Sequence, residues 1–286
     1  MRLGLSIARI GNHYHLDSCL SLRMAYRSAP IIEDVIWLVP FAEKSATLAE
    51  AIRNTIAENR AHMLDFIRLD ELPPVHAMTL ATWSRPAALS RLLAIYGDHI
   101  YRNQPLLPRE DKPLISLWAQ WYLGLLVPPL MLALLSGQNA PDLSPEHFHV
   151  EFHETGRAAC FWIDVIEDPQ GSALSPVGRI EKLVTQALIP VVNALEATGE
   201  INGKLIWSNT GYLINWYLGE MKPLLGDALT ETLRQHVFFS KQLANGSDNP
   251  LWRTVVPRDG LLVRRTCCQR YRLPDVQQCG DCTLTK

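Results

Sequence analysis

Neither sign of charge is in excess: 27 lysines and arginines face 29 aspartates and glutamates, a formal net charge of −2 over 286 residues. A polyanion therefore meets no overall attracting field, which excludes nucleic acid as a partner of the chain as a whole and leaves any basic patch local. Cysteine is scarce, six in the whole sequence, too few for a disulfide scaffold. No G-x-G-x-x-G and no P-loop occurs, so nicotinamide and nucleotide chemistry lack a recognisable site. Internal repeats and low-complexity segments are absent as well. The N-terminal run MRLGLSIARIGNHYHLDSCLSLR has no sustained apolar stretch followed by a small-residue cleavage site and does not read as a secretory signal.

What is present is the composition of an ordinary globular protein, 48% hydrophobic and 20% charged, with ample leucine and tryptophan to bury a core. The length suggests one large unit with an appended tail. Residues 1–23 are expected to be a poorly anchored extension, residues 24–250 a helix-rich α+β domain, and residues 251–286 the cysteine-bearing segment. Leu114 to Leu135 is long and apolar enough to span a membrane. Gln120 and the Pro128-Pro129 pair argue instead for two buried core helices meeting at the prolines. A peripheral membrane contact stays open.

Helical spacing runs from Ser45 to about Leu69 and from Arg85 to Arg102. The period then becomes two in His147-Phe148-His149-Val150-Glu151-Phe152-His153, a half-buried strand, and Glu154-Thr155-Gly156 turns it into a return strand over 158–166. Ser175-Pro176 opens a helix to about Thr198, bent at Pro190 and closed by Gly199. Lys204 to Trp207 reads as a short strand, with Ser208 or Asn209 capping a helix that ends near Pro223. After the loop NGSDNP, residues 255–263 form a second hairpin about Asp259-Gly260. The fold class is α+β: helix-rich, with a small antiparallel sheet and a C-terminal four-cysteine tail.

That tail is TCCQRYRLPDVQQCGDC, spacing C-C-x10-C-x2-C. Cys279 and Cys282 form a ligand pair across a tight turn in which Gly280 relieves steric cost. Cys267 and Cys268 are adjacent, and a local bend is needed to bring both to one place. Four thiolates suit zinc or an iron–sulfur cluster, and the spacing alone does not choose between them. A zinc-stabilised interaction or regulatory module without redox activity is the alternative reading.

The tail, together with Asn249-Pro250-Leu251-Trp252-Arg253 and Leu261-Leu262-Val263-Arg264-Arg265 before it, resembles the ferric siderophore reductase family. The resemblance runs from about Met24 to the end and takes in Lys112 to Leu135, His147 to Gly156 and Leu195 to Tyr217. It implies a cytoplasmic reductase, loosely associated with the inner membrane at most, that acts on hydroxamate-type ferric siderophores of the ferrioxamine, ferrichrome or coprogen kind. Under it Cys267, Cys268, Cys279 and Cys282 are the ligands of a [2Fe–2S] cluster. It also implies a helix-rich α+β fold related to part of the siderophore synthetases, by analogy alone.

A one-electron cofactor suits Fe(III), and with no flavin or nicotinamide site visible the electron is expected from a separate ferredoxin, flavodoxin or flavin reductase. Between Trp252 and Arg272 six arginines, Arg253, Arg258, Arg264, Arg265, Arg270 and Arg272, face a single acid, Asp259. Arg264, Arg265, Arg270, Arg272 and Trp252 are candidates for docking the substrate or the donor. His147, His149, Glu151 and His153 share a strand face, the pattern of a metal site or of a solvated surface. Trp207, Asn209, Tyr212, Trp216 and Trp252 could line a pocket or belong to the core, and Cys160 reads as an inert buried thiol.

Overall fold

A computed structural model describes residues 46–280 and 282–284, with two short strands nearer the N-terminus. The chain divides into two units, residues 1–46 and 47–286. In the first, β1 (Ile7–Ile10) and β2 (His13–Leu16) pair antiparallel. The expected poorly anchored extension of residues 1–23 and the start near Met24 otherwise lie outside the described residues.

In the second unit, α1 (Leu48–Arg60) begins at Thr47, not Ser45. The Thr47 hydroxyl accepts from the Glu50 amide at 3.2 Å while the Glu50 carboxylate accepts from the Thr47 amide at 2.8 Å, a reciprocal capping box. The helix stops at Arg60, short of the expected Leu69. A 3₁₀ turn (Ala61–Asp65) intervenes, and Ile67–Leu69 is strand β3. The apolar residues Met63 and Ile67 suit both periods over so short a run, and pairing with a distant strand decides the outcome.

A single turn α2 (Leu80–Trp83) leads into α3 (Pro86–Ile100), and α4 (Asp111–Ser136) follows as one continuous helix with Pro128 and Pro129 inside it. Two helices meeting at the prolines was the expectation. The prolines forfeit two backbone bonds, but both are buried, and packing against α1, α3 and the elements that follow maintains the helix. α4 is the one described helix long and apolar enough to cross a membrane, and most of it is buried inside the protein.

Short strands β4 (Ala140–Pro141) and β7 (Glu167–Asp168) pair with each other. Between them β5 (Phe148–Phe152) and β6 (Ala158–Ile163) form the expected antiparallel hairpin, with β3 added parallel to β6. Gly156 in its turn has φ 79°, and a Cβ there would strike the Leu92 carbonyl and the Tyr96 amide of α3. The Gly156 carbonyl accepts from Trp118 Nε1 at 2.8 Å. Trp118, Tyr122, Trp83, Phe152 and Phe161 pack ring against ring, centroids 5.0 to 6.5 Å apart, fastening the sheet to α4.

The turn α5 (Pro169–Ser172) precedes α6 (Pro176–Lys182), a π-helical stretch (Leu183–Leu188) and α7 (Ile189–Glu196). Pro190 cannot donate to the Gln186 carbonyl, and the wider π turn just before it accommodates that loss without ending the helix. Arg179 on α6 is buried and donates to the carbonyls of Leu134 at 2.9 Å, Gly137 at 2.7 Å and Ser172 at 2.7 Å. It thereby satisfies the C-terminal end of α4, where no helix bond is available. Arg179→Ala is expected to lower stability by about 3 kcal/mol and the Tm by roughly 6–12 °C; a calorimetric scan showing less than a 2 °C change would mean water replaces the guanidinium.

α8 (Gly203–Glu220) corrects the expected strand at Lys204 to Trp207: Asn202, not Ser208 or Asn209, caps it, accepting from the Lys204 amide at 2.8 Å. The turn α9 (Lys222–Leu225) with Pro223 and the helix α10 (Asp227–Phe239), which the sequence reading passed over, complete the helical layer. β8 (Val255–Arg258) and β9 (Leu261–Arg264) form the second hairpin as expected, with positive φ at Asp259 and Gly260 in its two-residue turn.

Candidate iron–sulfur site

The cysteine segment lies against α4 and α8. Ser116 on α4 donates from its hydroxyl to the Cys268 carbonyl at 3.1 Å and accepts from Asn209 Nδ2 on α8 at 3.0 Å. Asn209 Oδ1 in turn accepts from Arg264 Nη1 at 3.2 Å, and Arg264 Nη2 donates to Cys279 Sγ at 3.1 Å. Ser116, Asn209, Arg264 and Cys268 are all buried. A chain of polar contacts thus runs from one helix to the other and then to a sulfur, at the point where β9 ends and the tail begins.

The sulfurs of Cys268 and Cys279 stand 3.9 Å apart. Two thiolates bound at about 2.3 Å to one tetrahedral metal would stand about 3.8 Å apart. Cys282 is buried nearby in sequence, and Cys267 Sγ accepts from the Gln269 amide at 3.3 Å. Gln269 has φ 64°, the local bend that two adjacent cysteines were expected to need, and it turns that amide back on the sulfur. Among the described residues no three His, Cys, Asp or Glu side chains converge as a ready-made site for a single ion.

Electrostatics point the same way. Burial pulls the Arg264 guanidinium down, but Cys268 and Cys279 outweigh it and hold the group above its ordinary value. Burial pushes the Cys279 thiol up, with the hydrogen bond from Arg264 opposing that rise. A buried cation bonded to a sulfur is suited to an environment that becomes more negative when thiolates assemble there. Arg264 Nε and Arg270 Nε are buried N–H donors with no partner among the described residues, so the segment fits an acceptor-rich anionic group. Arg264 also lies over the Tyr212 ring at 5.4 Å.

The hairpin's approach to α8 depends on Gly211, where a Cβ would collide with the Thr254 hydroxyl. Gly211→Ala is expected to destabilise by about 1–3 kcal/mol and to loosen the tail, so that iron is lost on gel filtration. If iron stays bound with unchanged stability, the close approach has slack.

Of the other candidates, Arg270 lines two cavities, one of which Cys279 also lines, while Arg272 is ion-paired with Glu110 at the start of α4. Arg265 is exposed, its amide bonded to the Thr254 carbonyl at 2.9 Å. Trp252 lines neither of these cavities; its ring meets Lys241 at 5.5 Å and Arg253 at 5.9 Å. Asn209, Tyr212 and Trp216 do line a cavity of about 260 Å³ with Cys279, Arg264 and Arg270, whereas Trp207 is buried and does not. The histidines separate: His149 faces Asp164 at 3.2 Å, His147 faces Asp142 at 3.7 Å, His153 bonds to Thr155 at 2.9 Å, and Glu151 faces His76 at 3.2 Å. Cys160 is a buried thiol in β6, raised by burial. Ser116 was missed, although Ser116 and Gln120, four apart in an apolar run, mark a polar stripe on one side of α4.

A helix-rich α+β fold that sets Cys268 and Cys279 beside a buried arginine defines a thiolate metal-binding protein whose helices support the cysteine tail. The sequence matches the family described as ferric iron reductase FhuF-like transporter over residues 116–262, and the FhuF 2Fe-2S C-terminal domain over residues 264–284. It is 72% identical over 261 residues to the ferric siderophore reductase of Escherichia coli (strain K12), covering 91% of this chain and 100% of that protein. The chain belongs to the FhuF ferric iron reductase family, is an oxidoreductase, and carries a [2Fe–2S] domain that contains all four tail cysteines. The zinc alternative falls with that match.

Proposed function

We propose that this protein reduces Fe(III) in hydroxamate-type siderophore complexes by one electron, releasing Fe(II) in the cytoplasm, and that Cys267, Cys268, Cys279 and Cys282 hold the [2Fe–2S] cluster. The observation that carries the reading is the buried arginine bonded to Cys279 Sγ, with Cys268 Sγ 3.9 Å away, in a chain of this family. The cluster, when bound, supplies a one-electron donor whose potential depends on local charge and hydrogen bonds.

The chain's own residues tune and shield that donor. Arg264 sets a fixed positive charge beside Cys279, Ser116 and Asn209 hold the guanidinium and the Cys268 backbone in register, and the flanking helices keep water from the buried side. Hard hydroxamate oxygens prefer Fe(III) to Fe(II), so a single electron labilises the metal. The same preference lowers the complex's potential by about 59 mV for each tenfold difference in affinity. The electron then has to come from a ferredoxin, flavodoxin or flavin reductase, which the exposed Arg253, Arg258 and Arg265 suit as docking points for an acidic carrier.

The test is anaerobic purification with visible and EPR spectra, followed by stoichiometric reduction of a ferric trihydroxamate in the presence of a ferrous trap. One Fe(II) per reduced cluster is expected. A reduced cluster that leaves the ferric complex intact would overturn the assignment, and turnover with NADPH alone would overturn the need for a carrier.

A further inference from the structure

A second, larger cavity of about 640 Å³ is lined by Tyr96, His99 and Ile100 of α3, Leu117, Gln120 and Trp121 of α4, Arg157 from the hairpin turn, and Arg270, Asp275, Val276 and Gln277 of the tail. Gln120 and Arg270 also line the smaller cavity that contains Cys279. The two spaces therefore share part of their walls through those two side chains.

The larger cavity is cationic and aromatic. Arg157 lies over the Trp121 ring at 4.3 Å, and Trp121 is 41% exposed, so its face is held in place yet accessible. Neither Arg157 nor Arg270 has a carboxylate partner among the described residues, and Arg270 Nε is buried without any acceptor. The one carboxylate in the lining, Asp275, accepts from Asn103 Nδ2 at 3.0 Å. His99 is held below its ordinary value by burial and by Arg102 and Arg157, so the fixed charges of the lining are two guanidiniums against the single Asp275 carboxylate, a net positive balance.

We propose that this larger cavity is where the ferric chelate docks, with Arg157 and Arg270 donating hydrogen bonds to the hydroxamate oxygens around Fe(III) and Trp121 supporting the ligand's apolar arm. The assignment rests on the reductase reading above. A concave space of this size suits a small ligand, whereas a carrier protein would cover a broad face of about 800 Å². Arg270, which lines both cavities, links the docked chelate to the space that Cys279 lines.

Binding can be separated from reduction with the gallium(III) complex of a trihydroxamate, which has the charge and shape of the ferric complex but accepts no electron. Calorimetric titration of cluster-loaded protein is expected to show binding that weakens about tenfold in Arg157→Gln and in Arg270→Gln, and several-fold in Trp121→Leu. Visible spectra confirm that each variant is loaded and folded. Unchanged gallium-complex affinity in Arg157→Gln and Trp121→Leu would overturn the location, as would variants that lose only the rate of recharging by the carrier. Failure of the wild-type protein to reduce the ferric complex at all would overturn the underlying reading, a different result from the one that overturns the site.

Discussion

Cys279→Ser is expected to abolish the visible charge-transfer absorption and the EPR signal together, and to lower ferric-chelate reduction to below about one hundredth of wild type. The sulfur it removes is within 3.9 Å of Cys268 Sγ and is the acceptor for Arg264, so a serine hydroxyl both weakens a ligand position and leaves the buried guanidinium without its anionic partner. Cys160→Ser is the control. That thiol is buried in β6, where its Sγ meets the Phe161 carbonyl at 3.8 Å, and its loss should leave absorption and reduction intact. Quantitative iron analysis alongside the spectra distinguishes an altered cluster from a missing one. A full-strength wild-type signal in Cys279→Ser would strike that residue from the ligand set.

Arg264→Gln should leave a cluster that is harder to reduce. Each electron added beside Cys279 adds negative charge to a buried region, and a guanidinium bonded to that sulfur favours the more negative state. A charge-assisted hydrogen bond of roughly 1.5–3 kcal/mol, if made mainly in the reduced state, corresponds to a midpoint potential about 60–130 mV lower once it is lost. Arg264→Lys keeps the charge but cannot reach Asn209 and Cys279 at once, so a smaller shift is expected. An EPR-monitored redox titration measures both. A potential unmoved in Arg264→Gln would reduce the arginine's role to holding the tail in place.

Much of the chemistry was written locally. The cysteines, their spacing and the run of arginines before them are short-range features, and they led to the tail and to the family resemblance. Both hairpins were legible because period-two alternation and the turns at Gly156 and Asp259-Gly260 act within a few residues. Where the reading failed, a distant partner had decided the outcome. Ile67–Leu69 became strand by pairing with β6, nearly a hundred residues away, and Lys204 to Trp207 became helix because Asn202 supplied the cap and α4 the packing surface.

The sequence by itself therefore determined which atoms can bind metal and that an excess of positive charge stands near them, since both follow from residue identity and spacing along the backbone. Only the tertiary structure decided which of six arginines carries that charge to a sulfur: Arg264 is buried on Cys279, Arg272 is neutralised by Glu110, and Arg265 faces water. It also decided that Ser116 and Asn209, from helices ninety-odd residues apart, complete the link. Hydrogen bonds and desolvation depend on distance in space, and a chain that folds back on itself sets those distances through its core.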